Sequence, residues 1–567
     1  MIHKIVNRTL TAAMLATVPV LAAHAGPDLI AIASIPATYE DLSNQTAGAL
    51  ENGVPGNRLG GFGSSITYAG GDTFLMLPDR GPNALEYASS IDSTVSYIDR
   101  FHTFNLRLLP ATPSDSGVQD SKTTPNAVPG LRAPFDVAGL PFILTPTLRA
   151  TTLLWSPTPL AYGKAGAHTD DNGNSIGSGA PALNAANHRF YFTGRSDGFA
   201  YDPSQPASYP NLSNNPNNAR LDPESIKVSN NGLYVFISDE YGPYVYQFSR
   251  LTGQRVRSFR LPDSFAVIPN TTTSTETGST GIDTVNSNNS RKLGRIANKG
   301  AEGLAITPDG RTLVVAVQSA LIQDGGTGTN GKFTRIVTID IASGTVKAQY
   351  AYPLTAPKPG KFATISEILA LNDHQFLVDE RDGKGFEGGG AAVYKVLSLV
   401  DIRASGVADV SNNPGFLTND PTSVALHKVP FLDVVAVLSS PPHNLDPAVD
   451  LSAKLEGITF GEDVVVNGVK KHTLYLSSDN DFLASFALDD DLQSHVYDNP
   501  SKIFVFDFDQ SDLDSLGTAN TAENQGWKFV PQALVSEQVP DFFSPEDFPS
   551  FLFGPPSFNF HGGFGLD

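Results

Sequence analysis

Hydrophobic residues in this chain come in short runs, such as Thr73-Phe74-Leu75-Met76-Leu77, Arg189-Phe190-Tyr191-Phe192-Thr193, Leu233-Tyr234-Val235-Phe236-Ile237 and Thr312-Leu313-Val314-Val315-Ala316-Val317. Each run is rich in β-branched or aromatic residues and is bounded by Gly, Asn, Asp or Pro. Runs of that length and make-up predict strands, and the bounding residues predict where each strand turns back. Long stretches with helical spacing are hard to find. With 51 Gly, 41 Pro, 34 Phe and 17 Tyr, the composition agrees with many short strands joined by tight turns.

Aligned with one another, the runs form a degenerate repeat: a carboxylate near an apolar strand, a polar turn, a second strand ending in acid, and a third strand of alternating aliphatics. One copy runs from Pro223-Glu224-Ser225-Ile226 through Asn230-Asn231-Gly232 to Asp239-Glu240 and Tyr244-Val245-Tyr246-Gln247-Phe248. The next runs from Ala301-Glu302-Gly303-Leu304 through Pro308-Asp309-Gly310 to Arg335-Ile336-Val337-Thr338, with Gln318 where the first copy has acid. A third holds Ser366-Glu367-Ile368-Leu369 and Asp379-Glu380-Arg381, and a fourth holds Leu455-Glu456-Gly457-Ile458 and Asp479-Asn480-Asp481. Looser copies over Gly61 to Asp79 and Ser156 to Asp197 bring the expected count to about six. Repetition of three- or four-stranded units predicts an all-β fold, a β-propeller whose blades bury their faces against one another; a stacked sandwich is the alternative.

The polar stretches Pro110 to Pro134, Ala165 to Ala180 and Asn270 to Asn298 interrupt the pattern and read as insertions. At the N-terminus, Lys4 and Arg8 precede an apolar run from Leu10 to Ala22 that ends in Ala23-His24-Ala25. That is the pattern of an export signal cleaved after Ala25, too short for the roughly 20 apolar residues of a membrane span. The expected organisation is a signal peptide over 1–25, an N-terminal segment over 26–57, a propeller over 58–510 and a Phe/Pro/Gly-rich extension over 511–567. Export would permit disulfides, yet the chain contains no cysteine, so burial, hydrogen bonds and bound ions must hold it together.

Net charge adds a constraint: 58 acidic against 38 basic residues give −20, which argues against a nucleic-acid partner and favours cations. In a propeller the first strand of each blade lines the central channel, so Glu224, Glu302, Glu367 and Glu456 are expected to converge on one axis. Carboxylates crowded together repel one another unless a cation neutralises them. Calcium suits such a set, because it accepts six to eight oxygen ligands and needs neither Cys nor His. Second-strand acids, Asp79, Asp239, Glu240, Asp379, Glu380, Asp479 and Asp481, are candidates at the mouth. Arg80, Lys299, Arg381 and Lys454 stand within a few positions of these acids and are candidates to bind an anionic substrate. The bland alternative is that the acids only hydrogen-bond turns and pair internally with those cations.

The ordered set Asp79-Arg80-Gly81-Pro82-Asn83, Asp222-Pro223-Glu224-Ser225-Ile226, Ser238-Asp239-Glu240-Tyr241-Gly242-Pro243, Asn298-Lys299-Gly300-Ala301-Glu302-Gly303, Asp379-Glu380-Arg381-Asp382 and Lys454-Leu455-Glu456-Gly457 resembles the phytase-like family, bacterial proteins described as having esterase-like activity of phytase. The resemblance runs from about Gly60 to Asp507. It implies a secreted or periplasmic propeller that hydrolyses phosphate or related esters, with calcium dependence by extension from the alkaline phytases. On that reading Glu224, Asp239, Glu302, Glu367, Asp379 and Glu456 are the catalytic candidates, and Asp79, Glu240, Glu380, Asp479 and Asp481 are further metal ligands. Arg80, Lys299, Arg381 and Lys454 bind a small phosphorylated or ester substrate, and the protein is expected to be a monomer without a membrane span. Two other readings stay open: a non-catalytic, calcium-stabilised binding module, and a metal-dependent lactonase whose Asn ligands could only be Asn83 and Asn480.

Overall fold

The computed structural model describes residues 26–82, 95–112, 139–162, 168–169, 175–176, 179–194, 215–266, 268–269, 291–296, 298–326, 331–487 and 496–514. The expected signal peptide, most of the three polar insertions, Asn83 and the tail beyond 514 lie outside the described residues.

The architecture is a five-bladed β-propeller. An N-terminal strand, β1 (Asp28–Ile35), precedes blade 1, which consists of β2 (Ser65–Gly70), β3 (Thr73–Leu77), β4 (Arg100–Pro110) and β5 (Phe142–Leu153). Blade 2 holds β6 (Pro223–Val228), β7 (Tyr234–Asp239), β8 (Tyr244–Ser249) and β9 (Arg255–Arg260). Blade 3 holds β10 (Ala301–Ile306), β11 (Thr312–Val317), β12 (Phe333–Asp340) and β13 (Val346–Pro353). Blade 4 holds β14 (Thr364–Ala370), β15 (Gln375–Arg381), β16 (Lys395–Asp401) and β17 (Val429–Asp433). Blade 5 holds β18 (Lys454–Phe460), β19 (Val469–Asp479) and β20 (Ser501–Phe508), with β1 as its outermost strand.

That last pairing closes the ring. β1 runs antiparallel to β20 from Asp28↔Asp507 to Ile35↔Ser501, so both ends of the propeller chain share one sheet. The sequence pattern places residues 26–57 outside the propeller because β1 has no acidic turn or partner strand next to it in the chain. The inner strands touch in a closed cycle, β2 with β6, β6 with β10, β10 with β14, β14 with β18 and β18 with β2. The blade count is five rather than about six. In the segment expected as a further copy, Trp155–Ser156 pairs with Phe190–Tyr191, Trp155 also bridges Gln254 in blade 2, and Thr193 then bridges Ile98 and Arg220. Leu154, Leu160 and Phe192 fill the apolar seam between blades 1 and 2, so the segment acts as a wedge in an existing seam.

One apolar core occupies each seam. Leu75 and Phe101 meet Ile226 and Val235 between blades 1 and 2; Phe236 and Phe259 meet Leu313 and Val315 between blades 2 and 3. Ala316 and Ile336 meet Ile368 and Phe376 between blades 3 and 4, and Leu397 and Leu399 meet Ile458, Leu474 and Leu476 between blades 4 and 5. Ile66 and Phe74 meet Tyr475 and Val505 where blade 5 returns to blade 1. Burying one such side chain contributes roughly 1.5–3 kcal/mol, so the seams, repeated around the ring, outweigh any single ion pair as a source of stability. Gly232 and Gly310 adopt positive φ (70° and 71°) and let β6–β7 and β10–β11 reverse in tight turns. Among the described residues no helix is long and apolar enough to cross a membrane.

Candidate functional site

Each inner strand carries an irregularity at the same level. Pairing with the second strand slips between Pro223 and Ile226, Ala301 and Gly303, Ile365 and Glu367, and Leu455 and Gly457. In blade 1, Gly63 and Ser65 both align with Leu77, which brackets Ser64. A bulge of this kind re-aims the extra side chain. The residues at that level are Ser64, Glu224, Glu302, Ser366 and Glu456.

Glu367 is one position further along and sits on the axis itself. Its Oε2 accepts hydrogen bonds from Ser65 Oγ, Ser225 Oγ and Lys227 Nζ, each at 2.7 Å, and its Oε1 accepts from the Leu304 and Ile368 amides at 2.8 and 3.0 Å. The matching positions of the other blades are small, and Gly303 is needed there: a Cβ on it would lie 2.9 Å from Ile368 N and 3.0 Å from Glu367 Cα. Glu367 and Lys227 therefore form a buried plug below the mouth.

Above the plug the acids separate into two groups. Asp79, Asp479 and Asp481 bring carboxylate oxygens within 4.8 Å of one another, and Lys454 Nζ lies 3.1 Å from Asp479 Oδ2 and also pairs with Asp481. Burial pushes Asp79 up to about 7 and Asp479 well above the usual carboxylate range. Burial opposes the charge on Lys454 too, yet Asp479 and Asp481 hold its ammonium well above the ordinary lysine value. This group already contains its own cation.

The second group, at the seam of blades 2 and 3, is Asp222, Glu224 and Glu240, again with oxygens within 4.8 Å. Asp222 accepts from Arg80 Nη1 at 2.6 Å, and Glu240 Oε1 accepts from the Gly300 amide at 3.0 Å. Glu240 Oε2 is buried without a hydrogen-bond partner and lies 3.9 Å from Arg80 Nη1. Glu302 Oε1 accepts from Gln318 Nε2 at 2.7 Å, while its Oε2 is likewise buried and unpartnered. Burial, then Glu302, Asp222 and Glu240, push half-buried Glu224 well up; burial, then Glu240 and Glu456, do the same to Glu302. Burial and the Asp222 charge raise Glu240 to about 7. Asp222, Glu224 and Glu240, with one orphaned oxygen among them, are a donor set that suits a hard divalent cation, and Glu302, with an orphaned oxygen of its own, stands near enough for its charge to act on Glu224.

The remaining candidates fall in other places. Asp239 Oδ1 accepts from the Asp222 and Tyr241 amides at 3.2 and 3.0 Å, which pins the loop after β7, and burial raises this acid to about 8. Asp379 is buried with Oδ2 unpartnered, and burial raises it well above the usual range. Glu380 points to the opposite face of β15, where Tyr352, Thr355 and Lys428 consume its oxygens, so it is not at the mouth. Arg381 bonds Ser366 Oγ at 2.8 Å and pairs with Glu456. Half-buried Lys299 donates to Gln318 Oε1 at 3.2 Å and makes no ion pair among the described residues. Asn480 Oδ1 accepts from the Gly61 and Phe482 amides and its Nδ2 donates to the Asn499 carbonyl, so both lone pairs of the oxygen are taken and none is left for a metal.

Sequence reasoning missed Asp222 and Gln318 as site residues, and missed Asp99, a fully buried acid whose two oxygens have no partner. Asp222 could have been found, since it precedes Pro223-Glu224 directly. Aligning the aliphatics Ile226, Leu304, Ile368 and Ile458 would likewise have put Ser366, rather than Glu367, level with Glu302.

Residues 57–482 match the family described as phytase-like, esterase-like activity of phytase. An uncharacterized secreted protein of Arthroderma benhamiae is 31% identical over 370 residues, which cover 60% of this chain and 62% of that relative. Among solved structures, the periplasmic gluconolactonase of Pseudomonas aeruginosa aligns at 10% identity and a TM-score of 0.25, over 78% of this chain and 88% of its own. Hydrazine synthase of Kuenenia stuttgartiensis aligns at 12% identity and a TM-score of 0.22, over 55% and 71%.

Proposed function

The chain belongs to the phytase-like family, and from that premise we propose that it is an exported hydrolase of phosphate or related esters that works with one divalent cation, calcium, at the seam of blades 2 and 3. Export is supported by the leader pattern and by the secreted relative. The observation that carries the metal reading is the pair of buried, unpartnered oxygens, Glu240 Oε2 and Glu302 Oε2. Asp222, Glu224, Glu240 and Glu302 hold the cation, with solvent completing the shell. When bound, it neutralises the acidic mouth and polarises an ester oxygen.

The chain's own residues do the positioning. Lys299, unclaimed by a carboxylate, takes an anionic oxygen of the substrate; Arg381, held by Ser366 and Glu456, adds positive charge across the channel. The Glu367–Lys227 plug closes the channel below, so substrate enters and leaves by one face. Phosphoryl transfer asks mainly for placement and charge, which such a site supplies.

A second reading, a calcium-stabilised binding module without turnover, draws on one observation: Arg80, Arg381 and Lys454 are already paired with Asp222, Glu456 and Asp479. Hydrolysis of p-nitrophenyl phosphate, phytate and a short acyl ester by the mature chain separates the two. The hydrolase reading expects calcium-dependent product release that falls at least tenfold in Glu302→Gln. No release from any substrate, with calcium still raising the melting temperature, would leave the binding module.

A further inference from the structure

Blade 3 departs from its neighbours at one position. Val317 pairs with Ala301 just before the bulge, and the next residue is Gln318; at the same register stand acids in blades 2 and 5, Glu240 and Asp479, and Arg381 in blade 4. Gln318 is 8% exposed. Its backbone is fixed on both sides, with the amide donating to Gly300 O at 2.9 Å and the carbonyl accepting from the Ile365 amide at 3.0 Å. Its side-chain amide then spans the site, giving a hydrogen bond to Glu302 Oε1 at 2.7 Å and receiving one from Lys299 Nζ at 3.2 Å.

The chemistry of the two neighbours dictates which way the amide faces. An ammonium can only donate and a carboxylate can only accept, so the oxygen must face Lys299 and the NH2 must face Glu302. No other side chain of this size serves both. Glutamate would set a carboxylate against Glu302, and an apolar residue would leave both neighbours unbound. With Oε1 of Glu302 engaged, only Oε2 is left for a ligand. With Lys299 bound to a neutral oxygen instead of an acid, its charge stays available for an anion.

Resting on the cation site of the preceding subsection, we infer that Gln318 is a positioning residue that joins the two halves of the site, turning Glu302 toward the cation and keeping Lys299 poised for the anionic group of the substrate. It touches neither ligand itself. The amide in blade 3 is thus a specificity device: an acid there, like Glu240 in blade 2 or Asp479 in blade 5, would pair with Lys299 and cancel the anion subsite.

The test is calorimetric titration of the full mature chain with calcium, and with inorganic phosphate at saturating calcium, for wild type, Gln318→Leu and Gln318→Glu. Removing a group that orients a metal ligand typically weakens metal binding 10- to 100-fold, so Gln318→Leu is expected to lose about that factor in calcium affinity and to weaken phosphate as well. Gln318→Glu also loses the donor to Glu302, so it is expected to weaken calcium about as Gln318→Leu does, while phosphate binding at saturating calcium falls about tenfold below that of Gln318→Leu because the new carboxylate captures Lys299. A merely structural glutamine would not separate the two variants in phosphate affinity. Calcium and phosphate affinities within twofold of wild type in Gln318→Leu overturn the inference; should that variant fail to fold, unchanged phosphate affinity in the isosteric Gln318→Glu overturns it equally. A flat calcium isotherm for wild type is a different failure, since it removes the cation site on which the inference rests.

Discussion

Lys227→Met tests the plug that closes the channel. Lys227 Nζ lies 2.7 Å from Glu367 Oε2, and both side chains are buried. Breaking a buried pair by removing one partner costs about 3–5 kcal/mol, because the other charge stays in a low-dielectric site. Glu367 retains four neutral donors, the Ser65 and Ser225 hydroxyls and the Leu304 and Ile368 amides. The expected loss is therefore at the lower end, about 3 kcal/mol. Urea denaturation of the mature chain with a linear extrapolation measures it. The double variant Lys227→Met/Glu367→Leu removes both charges and should recover part of that loss. A loss below about 1 kcal/mol for Lys227→Met would refute the plug as an electrostatic unit.

Three further outcomes follow from the same geometry. Burial raises Asp79 and Glu240 to about 7 and Asp239 to about 8, whereas unfolded carboxylates titrate near pH 4. Between those limits the fold binds protons that the unfolded chain has released, so the share of calcium-free stability that these three acids contribute is fully present below about pH 4 and is lost as pH rises toward 8; thermal melts from pH 5 to 8 should show this, and added calcium should flatten the trend. Apparent calcium affinity, read by titration over the same range, should rise with pH as the cation competes with those protons. Lys454→Met leaves Asp79, Asp479 and Asp481 without their cation; it should lower stability by about 2 kcal/mol without calcium, and calcium should then restore more melting temperature than it gives wild type.

The strands and their repetition were legible because turn residues and β-branched runs act locally: the copies headed by Glu224, Glu302 and Glu456 each became a blade. The blade count was less legible, since the Trp155–Phe192 region carries strand-like residues but spends them wedging a seam. Closure by β1 depends on contact between residues about as far apart in the chain as it allows, which no local pattern encodes. In the site, residue types were readable and side-chain direction was not. Asp379 and Glu380 are neighbours in sequence, but alternation along β15 sends them to opposite faces. A one-residue shift at the blade 4 bulge moved Glu367 from the mouth to the axis, where five donors consume it. Which acids already own a cation, as Asp479 does with Lys454, is settled only by the fold.

The central claim is that the divalent cation sits at the seam of blades 2 and 3. Anomalous diffraction from crystals of the mature chain soaked in a calcium-mimicking lanthanide locates it directly. The account predicts a peak bounded by Asp222, Glu224, Glu240 and Glu302, with the Lys454 ammonium still seated among Asp79, Asp479 and Asp481. A peak in the Asp79 group with Lys454 displaced, and none at the seam, would contradict it.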